Sequence, residues 1–415
     1  MHSSQLLILG NGFDLHCGLK SAYKDFFQST ILDNIGGRFG LRQMKAGVSG
    51  FWENLLFVYY TIFGKTDYNW CDIESIIRDT VLAIGNHNKG IAFDALESFK
   101  RREDPNDTVK SVHGVIEQFL YTSCMSFYYN TLRSGKNYSA EEAYSLLINY
   151  ILQELHGFES RFCKYIKDNI FNPNNEKEFN TQYIINAMNL LNTLTGFADK
   201  KNKTIDDIIK LREGECGKST ISQLDGREIY VLSQEFSNLH SVNILSFNYT
   251  SLFDILGVQS PCLYNNVHGK LCINKCAENC TSCNIIFGID DTIIQSQEEN
   301  FELHKFSKTY RKMLNAGVGT SILPKKDNQT IEIKFYGHSL SEADYSYFQS
   351  IFDYYNLYEN NKVSLIFYYS KGFEQTDKVY RLINTYGKTL SNKDQGKNLT
   401  HKLLLENRLK IIEIA

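Results

Sequence analysis

The spacing of apolar positions divides the chain into three stretches. Gln5–Leu9 predicts a short, fully buried strand, and it leads directly into the turn Gly10-Asn11-Gly12. From about residue 30 to 225 the apolar residues recur at helical spacing, and from about residue 228 short runs of branched and aromatic residues predominate. The pattern therefore predicts one early strand, a long helical region and a later region in which strands and helices alternate.

The clearest helix candidate is "SAEEAYSLLINYILQELHGFESRFCKYIKDNI", in which Ser139 and Glu142 predict a capping box. Other candidates are "GFWENLLFVYYTIF", "CDIESIIRDTVLAI" and "TQYIINAMNLLNTL". Asp72 and Glu74 lie near the start of the second of these. Residues two positions apart do not share a helix face, so we prefer Asp72 as the N-cap and Glu74 in the first turn over an acid–base pair.

The later region predicts a sheet. Its strand candidates are "VNILSFN", "LYNNVHG", "NIIFGI", "IEIKFYG", "KVSLIFYYS" and "LKIIEI", and helical patterns such as "SEADYSYFQSIFDYY" lie between several of them. This alternation favours a parallel sheet covered on both faces. We expect one α/β sheet from residues 1–30 and 228–415, with residues 31–227 as a helical insertion at the carboxyl edge of the strands, where ligands of open α/β sheets bind.

Composition narrows the class of protein. The chain has 415 residues, of which 42% are hydrophobic and 22% charged, as in an ordinary globular protein with a sizeable core. A net charge of −3 gives no electrostatic basis for binding nucleic acid or a membrane surface. The N-terminus has no basic region, its apolar run is too short for a signal peptide, and no apolar stretch is long enough for a transmembrane helix. We expect a cytoplasmic location.

The glycine turn after the first strand is the first candidate for chemistry. Gly10 and Gly12 allow the backbone to approach a ligand closely, and N–H groups at a helix start suit a phosphate. The dinucleotide fingerprint expects a third glycine where Leu15 stands, so an ordinary tight turn explains the pattern equally well. The Asp14 carboxylate would repel a phosphate, and it suits a ribose hydroxyl or an amide better.

Polar residues also follow three later strands. Asn248 follows "ILSF", His268 follows "YNNV", and Gly337-His338-Ser339 follows "IKFY". Residues just past the ends of parallel strands point into the ligand crevice. His268 could accept a proton from a sugar hydroxyl near neutral pH, and Asn248 could orient a ribose, an amide or water. A structural histidine and an ordinary serine-capped helix are the alternatives at these positions.

Taken together, several short motifs resemble the AbiH family of bacterial phage abortive-infection proteins. The motifs are "GNGFDLHCGLKSAYKDF", W-x-D-x-E at Trp70, Asp72 and Glu74, "SFNYT", "HGKL", "FGIDD" and "YGHSLSEAD". They span both ends of the chain. The resemblance implies a role in defence against phage.

The same residues are more distantly similar to sirtuins and to the sirtuin-like NAD-cleaving domains of antiviral systems. The Gly-Ala-Gly-x-Ser turn of those proteins falls on Gly10–Asp14, their Gln-Asn-x-Asp on Phe247–Thr250, their catalytic His-Gly on His268 and Gly269, and their adenosine-side Gly-Thr-Ser-Leu on Gly337–Leu340. The similarity implies a Rossmann-like, sirtuin-related sheet with Asn248 and His268 catalytic. It implies NAD binding by Gly10, Asn11, Gly12, Phe13, Asp14, Gly337, His338 and Ser339. The departures from the pattern favour NAD binding or cleavage over deacylation.

Four cysteines just after His268 define a small module at residues 271–284. They are Cys272, Cys276, Cys280 and Cys283. Thiolates at such spacing can hold a structural zinc, and sirtuins carry a four-cysteine zinc module after the same His-Gly. The alternatives are a loop without metal and an iron–sulfur site, which the C-x3-C-x2-C spacing permits but which belongs after the first strand of a barrel. The other cysteines fit as reduced, buried residues.

We therefore expect a cytosolic antiphage effector that binds NAD and hydrolyses its nicotinamide–ribose bond. One alternative is a non-catalytic nucleotide-binding sensor or scaffold, favoured by "SFNYT", which lacks the Gln and Asp of the sirtuin motif. Another is a nucleic-acid-binding knuckle at the cysteine module, where Lys275 is the one basic residue. We expect a homo-oligomer with a phage-derived trigger, and neither a membrane nor a nucleic-acid partner.

Overall fold

The structure is a computed structural model that describes the chain in segments. The described residues are 4–34, 42–64, 70–85, 90–102, 114–133, 137–172, 175–179, 181–196, 239, 241–256, 259–271, 284–290, 301–314, 321–326 and 329–414. The chain divides into two compact units. The first is formed by Met1–Ser21, Ile166–Asn284 and Gly317–Ala415, and the second by Ala22–Tyr165 and Ile285–Ala316. The predicted domain boundaries after residues 30 and 227 stay a prediction.

Within the described residues, the first unit contains a six-stranded sheet in which every pairing is parallel. Its strands are β1 Ser4–Leu9, β2 Val242–Ser246, β3 Tyr264–Asn266, β4 Ile331–Tyr336, β5 Val363–Ser370 and β6 Leu409–Ile414. From edge to edge the order is β6-β5-β4-β1-β2-β3. This confirms the predicted α/β class with a parallel sheet.

The winding of the sheet reverses beside β1. From β1 the chain forms β2 and β3 on one side and then returns to the other side of β1 for β4, β5 and β6. Leu9, at the end of β1, pairs with Ser246 of β2 and with Tyr336 of β4. The carboxyl ends of these three strands therefore lie side by side at the switch point, where open α/β sheets bind their ligands.

Helices cover this sheet and complete its core. Those of the first unit are Gly12–His16, Thr181–Thr195, Leu252–Leu256, Tyr345–Tyr355, Thr376–Thr389 and Lys393–Leu405, with a short 3-10 helix at Glu342–Asp344. Leu6, Leu7 and Ile8 of β1 are fully buried, as expected for a central strand with neighbours on both sides. An apolar cluster joins the sheet to the last three helices.

The second unit is largely helical in its described residues. Its helices are Tyr23–Phe26, Phe51–Phe63, Trp70–Gly85, Ile91–Arg101, Val115–Leu132, Ala140–Ile170, whose last residues belong to the first unit, and Lys308–Leu314. A π-helical turn at Phe27–Ile31 and a 3-10 helix at Phe301–Phe306 add to them. Two short antiparallel ladders pair Leu32–Asn34 with Arg42–Met44 and, in the first unit, Phe171–Asn172 with Asn175–Phe179.

The predicted capping box at the start of Ala140–Ile170 is confirmed. The Glu142 N–H donates to Ser139 Oγ at 3.1 Å, and the Ser139 N–H donates to a Glu142 carboxylate oxygen at 2.8 Å. Both orphan N–H groups of the first turn thus find side-chain acceptors, which explains why the helix begins here. The other three helix candidates are also observed, each within two residues of its predicted limits.

The predicted N-cap role of Asp72 is wrong. The helix begins at Trp70, so Asp72 lies inside the first turn, where its charge still suits the helix dipole. Glu74 forms an ion pair with Lys308, whose side chain is only 3% exposed. A buried lysine needs such a partner, and this contact gives the W-x-D-x-E glutamate a structural role.

The predicted strand "NIIFGI" is also wrong. Residues 284–290 are largely buried, but within the described residues they form only a single bridge, between Ile289 and Ser307. Glu159 accepts the Phe287 N–H at 2.6 Å, and Arg311 donates to the Phe287 carbonyl at 2.6 Å. Side chains thus supply the hydrogen bonds that a neighbouring strand would otherwise make.

The "AYKDFF" part of the first motif belongs to an aromatic core of the second unit. Phe26 packs edge-on against Phe158 and Phe162 with ring centroids 5.7 and 5.2 Å apart. Tyr23 stacks on Phe162 at 6.5 Å. The aromatic residues of this part of the motif thus contribute to the core of the second unit.

Among the helices that the structure describes, none has the length and apolar character to cross a membrane.

Candidate functional site at the carboxyl edge of the sheet

The predicted site residues of the first unit lie in four loops that leave the carboxyl edge of the sheet. Gly10–Asp14 follow β1, Asn248 lies two residues past β2, His268 two past β3, and Gly337–Ser339 follow β4. These four strands are neighbours in the sheet. The fold therefore brings the predicted residues to one edge, as the strand pattern requires.

The glycines of the first and fourth loops pack against each other. A Cβ at Gly10 would lie 2.6 Å from the Gly337 carbonyl oxygen, and one at Gly337, whose φ is +69°, would lie 2.4 Å from the Phe13 nitrogen. The Gly10 N–H donates to the Tyr336 carbonyl at 2.9 Å, and the Gly12 N–H to the Gly337 carbonyl at 2.8 Å. The close approach of two backbones thus accounts for these glycines, and two of the loop's N–H groups have protein acceptors.

Asn11 and Ser21 hold the first loop in place. Ser21 Oγ donates to Asn11 Oδ1 at 2.6 Å, and Asn11 Nδ2 donates to the Ser21 carbonyl at 3.2 Å. Phe13 is buried, and Ser339 is half-buried. The side chain of Asn11 therefore fixes the loop conformation through a reciprocal contact within the motif.

Asp14 is 2% exposed and joins three parts of the first unit. Its carboxylate accepts hydrogen bonds from Tyr183 Oη at 2.8 Å and from Thr250 Oγ1 at 2.6 Å. Burial raises the pKa of Asp14 to about 6, against the opposing effect of hydrogen bonds from Thr250, Tyr183 and Asn248. Among the described residues, the groups that contact the Asp14 carboxylate are hydroxyl and amide groups, and none of them is cationic.

Asn248 is 3% exposed, and its backbone is fixed by Asn266 at the end of β3. Asn266 Nδ2 donates to the carbonyl oxygens of Asn248 and Thr250 at 2.7 and 2.9 Å. In the part of the chain that the structure describes, Asn248 Oδ1 is buried without a hydrogen-bond partner. A buried amide oxygen in this state is costly, and it is ready to accept a hydrogen bond from a ligand or water.

His268 and His338 lie on opposite sides of one buried carboxylate, that of Asp344. His268 Nε2 is 3.0 Å from Asp344 Oδ1, and His338 Nε2 is 3.3 Å from Asp344 Oδ2. All three residues are no more than 5% exposed. Sequence reasoning missed Asp344 because it lies in a short 3-10 helix after β4, where an acidic residue suggests only a helix start.

Phe247 packs between the two histidine rings. Its ring meets His268 edge-on at 5.3 Å and His338 edge-on at 4.5 Å. Tyr347 lies 6.0 Å from His268, and Phe348 lies 5.0 Å from His338. Phe247 therefore acts at this position as a packing residue between the two imidazole rings.

A second polar cluster lies at the same edge, where β4 and β5 end. Tyr336 Oη lies 2.7 Å from His16 Nδ1 and 2.6 Å from Ser370 Oγ. Burial raises the pKa of Tyr336, so its hydroxyl stays protonated. His16 also borders a cavity of about 240 Å³. His16 belongs to the "GNGFDLH" motif, which is the sequence signal that marks it.

The four cysteines of the predicted module, Cys272, Cys276, Cys280 and Cys283, lie outside the described residues. Zinc at this module stays a prediction.

Chemically, the site combines a histidine close to a buried carboxylate with an amide oxygen that has no hydrogen-bond partner among the described residues. Such groups can accept a proton and position a hydroxyl or water molecule. The side chains of this site carry imidazole, amide, hydroxyl and carboxyl groups. These groups suit proton transfer at an uncharged part of a substrate.

Comparison with known proteins identifies one family. The sequence model described as "Bacteriophage abortive infection AbiH" matches residues 6–369, a range that includes all four loops of the site. No curated protein and no solved structure is significantly similar to the chain.

Proposed function

The chain belongs to the AbiH family, which implies a role in bacteriophage abortive infection, and we propose that it fulfils this role by hydrolysing NAD. The bond cleaved would be the one between nicotinamide and ribose. The products would be nicotinamide and ADP-ribose.

One observation carries this proposal: Asn248 and His268 follow two neighbouring strands at the carboxyl edge of a parallel sheet whose winding reverses beside β1. Ser246 and Asn266 are paired in the sheet, and the two functional residues lie two positions beyond them on adjacent strands. Asn248 offers a buried oxygen without a partner among the described residues, and His268 lies beside a buried carboxylate. A base and a hydrogen-bond acceptor at this edge suit the ribose of a dinucleotide.

The strand order supports a dinucleotide as ligand. Numbered along the chain, the strands lie in the order 3-2-1-4-5-6, which is that of doubly wound dinucleotide-binding sheets. The glycine loop then begins the first helix, as in those proteins. Fold alone does not determine activity, and this argument concerns the ligand class only.

Two departures from the sirtuin pattern compensate each other. Asp14 stands where that pattern has serine, and Thr250 stands where it has aspartate. Thr250 Oγ1 donates to Asp14 at 2.6 Å. A carboxyl and a hydroxyl group are therefore both present, with their positions in the two loops exchanged. This supports the distant similarity at the positions where the sequences differ most.

The chemistry proposed needs one water molecule. Loss of neutral nicotinamide leaves an oxocarbenium-like ribose, and water adds to its C1′ atom while His268 accepts the proton. Asn248 Oδ1 would accept a hydrogen bond from that water or from a ribose hydroxyl. Because Asn248, His268 and His338 are at most 5% exposed, NAD could reach them only after the edge opens. A closed resting state suits a protein that must stay inactive before infection.

The test is nicotinamide release from NAD by the purified full chain, prepared from phage-infected and from uninfected cells. We expect release in the infected preparation, and His268→Ala should lower its rate by roughly 10²–10⁴-fold. His401→Ala is the matched control, because His401 is an exposed histidine on the helix Lys393–Leu405. Equal release by the wild type and His268→Ala would contradict a catalytic role for His268.

A non-catalytic nucleotide sensor is the second candidate function. It is favoured by Phe247, which stands where the sirtuin motif has glutamine and packs against the rings of His268 and His338 without offering a polar group. Nucleotide bound to the protein from infected cells, without nicotinamide release by the wild type, would favour the sensor over the hydrolase.

A further inference from the structure

We propose that the start of the helix Thr181–Thr195 is an autoinhibitory element, in which the Tyr183 hydroxyl occupies the position on Asp14 that a ribose hydroxyl takes when the dinucleotide binds. This inference deepens the proposed function and rests on it for the identity of the ligand. All the residues that carry it belong to the first unit. The movement of the helix can be tested without any ligand.

The first step concerns the two oxygens of the Asp14 carboxylate. Tyr183 Oη donates to Oδ1 at 2.8 Å, and Thr250 Oγ1 donates to Oδ2 at 2.6 Å. Each oxygen thus has a hydroxyl donor that the protein itself provides, as a buried carboxylate requires. Because Asp14 is only 2% exposed, a ligand hydroxyl reaches it only by displacing one of these two groups.

The second step decides which hydroxyl gives way. Thr250 lies in the loop after β2, and its carbonyl oxygen accepts hydrogen bonds from Asn266 Nδ2 at 2.9 Å and from Tyr264 Oη at 3.2 Å. This loop is therefore attached to the neighbouring strand β3. Tyr183 lies in the first turn of its helix, whose N–H groups have no intrahelical acceptors. Helix ends open more easily than segments bound to a sheet, so Tyr183 is the group that a ligand displaces.

The third step concerns the attachment of the helix. Asn186 Nδ2 donates to the Cys17 carbonyl at 3.2 Å, close to the Tyr183 contact along the helix. At the other end, Gln5 Nε2 donates to the Thr195 carbonyl at 3.1 Å. Opening of the first two turns breaks the contacts of Tyr183 and Asn186 and leaves that of Gln5. The second half of the helix, whose apolar residues are buried, then stays in place.

The fourth step concerns the space that Tyr183 fills. Its side chain is 2% exposed, so movement of the phenol away from Asp14 leaves room for one ring beside Oδ1. Ribose hydroxyls donate hydrogen bonds to a carboxylate as the phenol does, whereas a phosphate has no donor and is repelled. Asn248 lies two positions before Thr250, so a ribose at Asp14 is also near the amide proposed for catalysis.

Amide hydrogen exchange of the full chain, followed by mass spectrometry, tests the opening. We expect the start of the helix to exchange about ten- to a hundredfold faster in Tyr183→Phe than in the wild type, because the variant keeps the ring and loses a hydrogen bond to a carboxylate. Tyr386→Phe is the matched control, since Tyr386 is a buried tyrosine of the same unit that donates to the Asp353 carboxylate at 2.9 Å. It should leave exchange in the helix Thr181–Thr195 unchanged.

Binding of ADP-ribose, measured by calorimetry with the same three proteins, tests the competition. Tyr183→Phe should bind it about ten- to a hundredfold more tightly than the wild type, because Asp14 is available in a larger fraction of the molecules. Tyr386→Phe should bind it as the wild type does. Asn186→Ala is a second variant, which loosens the same turns and leaves the groups on Asp14 intact. It should also bind more tightly, and it decides where Tyr183→Phe does not fold.

The outcomes separate this inference from the proposed function. Equal exchange at the helix in the wild type and Tyr183→Phe would overturn it, and so would ADP-ribose binding that is unchanged, weaker or absent in the helix variants. Neither measurement depends on cleavage. Tighter ADP-ribose binding by Tyr183→Phe, without nicotinamide release by the wild type from infected cells, would contradict the hydrolase and leave the autoinhibitory helix standing.

Discussion

Asp14 is the residue whose protonation most directly links the site to the stability of the protein. Its pKa is raised from 3.8 to about 6 by burial, so the folded state holds this proton more tightly than the unfolded state does. Between those two pH values the folded protein binds more protons, and its free energy of unfolding therefore falls as pH rises. Below pH 3.8 Asp14 is protonated in both states. Above about pH 6 it is ionised in both states, and its contribution to the free energy of unfolding is then fully lost.

We expect Asp14→Asn to remove this component from the pH dependence of stability. Two pKa units correspond to about 3 kcal/mol over the whole titration. Because pH 4 already lies above 3.8, the free energy of unfolding of the wild type should fall by about 2 kcal/mol more than that of the variant between pH 4 and 7. Denaturant titrations at several pH values measure both slopes. Burial also raises the pKa values of Glu53 and Glu159, so only the difference between the two proteins is informative. Parallel pH profiles for the wild type and the variant would show that Asp14 titrates normally.

The residues of the site could be predicted from the sequence where they directly follow strands. Asn248 and His268 were selected because polar side chains past parallel strand ends converge, and both lie just beyond the ends of adjacent strands. Tyr183 and Asp344 could not be selected in this way. Tyr183 lies 169 positions from Asp14, and nothing in its own helical pattern distinguishes it from a core residue. Contacts of that kind arise only when the chain is folded.

At the scale of elements, the conformations of the two glycine loops, after β1 and after β4, depend on each other because their backbones are closely packed. A Cβ at Gly337 would lie 2.4 Å from the Phe13 nitrogen, and Gly337 also has a φ of +69°. Backbone atoms cannot yield as a flexible side chain can, so the loops would have to separate to accommodate a methyl group. The cost then includes the hydrogen bond from the Gly12 N–H to the Gly337 carbonyl.

We expect Gly337→Ala to lower the free energy of unfolding by about 3 kcal/mol or more. Gly18→Ala is the matched control, because Gly18 has a φ of +91° but nothing within 4 Å of its Cβ position. We expect Gly18→Ala to lower the free energy of unfolding by only about 1–2 kcal/mol, which is the cost of a side chain at a positive φ. Chemical denaturation of the two variants measures the difference. Equal losses would show that the loops do not pack as closely as the structure indicates.

Sequence patterns predicted helices and strands well where backbone N–H and carbonyl groups form hydrogen bonds with one another. Five of the six late strand candidates are strands, and the capping box begins the helix Ala140–Ile170 as expected. The sixth, "NIIFGI", failed because Glu159 and Arg311 take over the backbone groups of Phe287. An apolar run predicts burial, but it does not reveal whether strands or side chains will supply the hydrogen-bond partners.

For the whole molecule, the family membership and the chemistry of the site raise the same question, namely whether phage defence depends on His268. The family implies a role in bacteriophage abortive infection. If NAD hydrolysis performs that role, defence and loss of NAD must require the same residue. A sensor or scaffold would instead need the folded site without its acid–base chemistry.

We expect cells expressing the wild-type chain to lose NAD after infection and to release fewer phage than cells without it. His268→Ala should abolish both effects, and His401→Ala, at an exposed histidine, should preserve both. NAD content, surviving cells and released phage are measured in the same infected cultures, together with the amount of each protein, so that instability of a variant is recognised. Protection by His268→Ala equal to that of the wild type, with NAD unchanged in both, would assign the defence to a non-catalytic role.

Because His268 packs against Phe247 and lies beside Asp344, His268→Gln is a useful second variant. It retains a polar side chain at this buried position but cannot act as a base near neutral pH, so it should fold and still fail to protect.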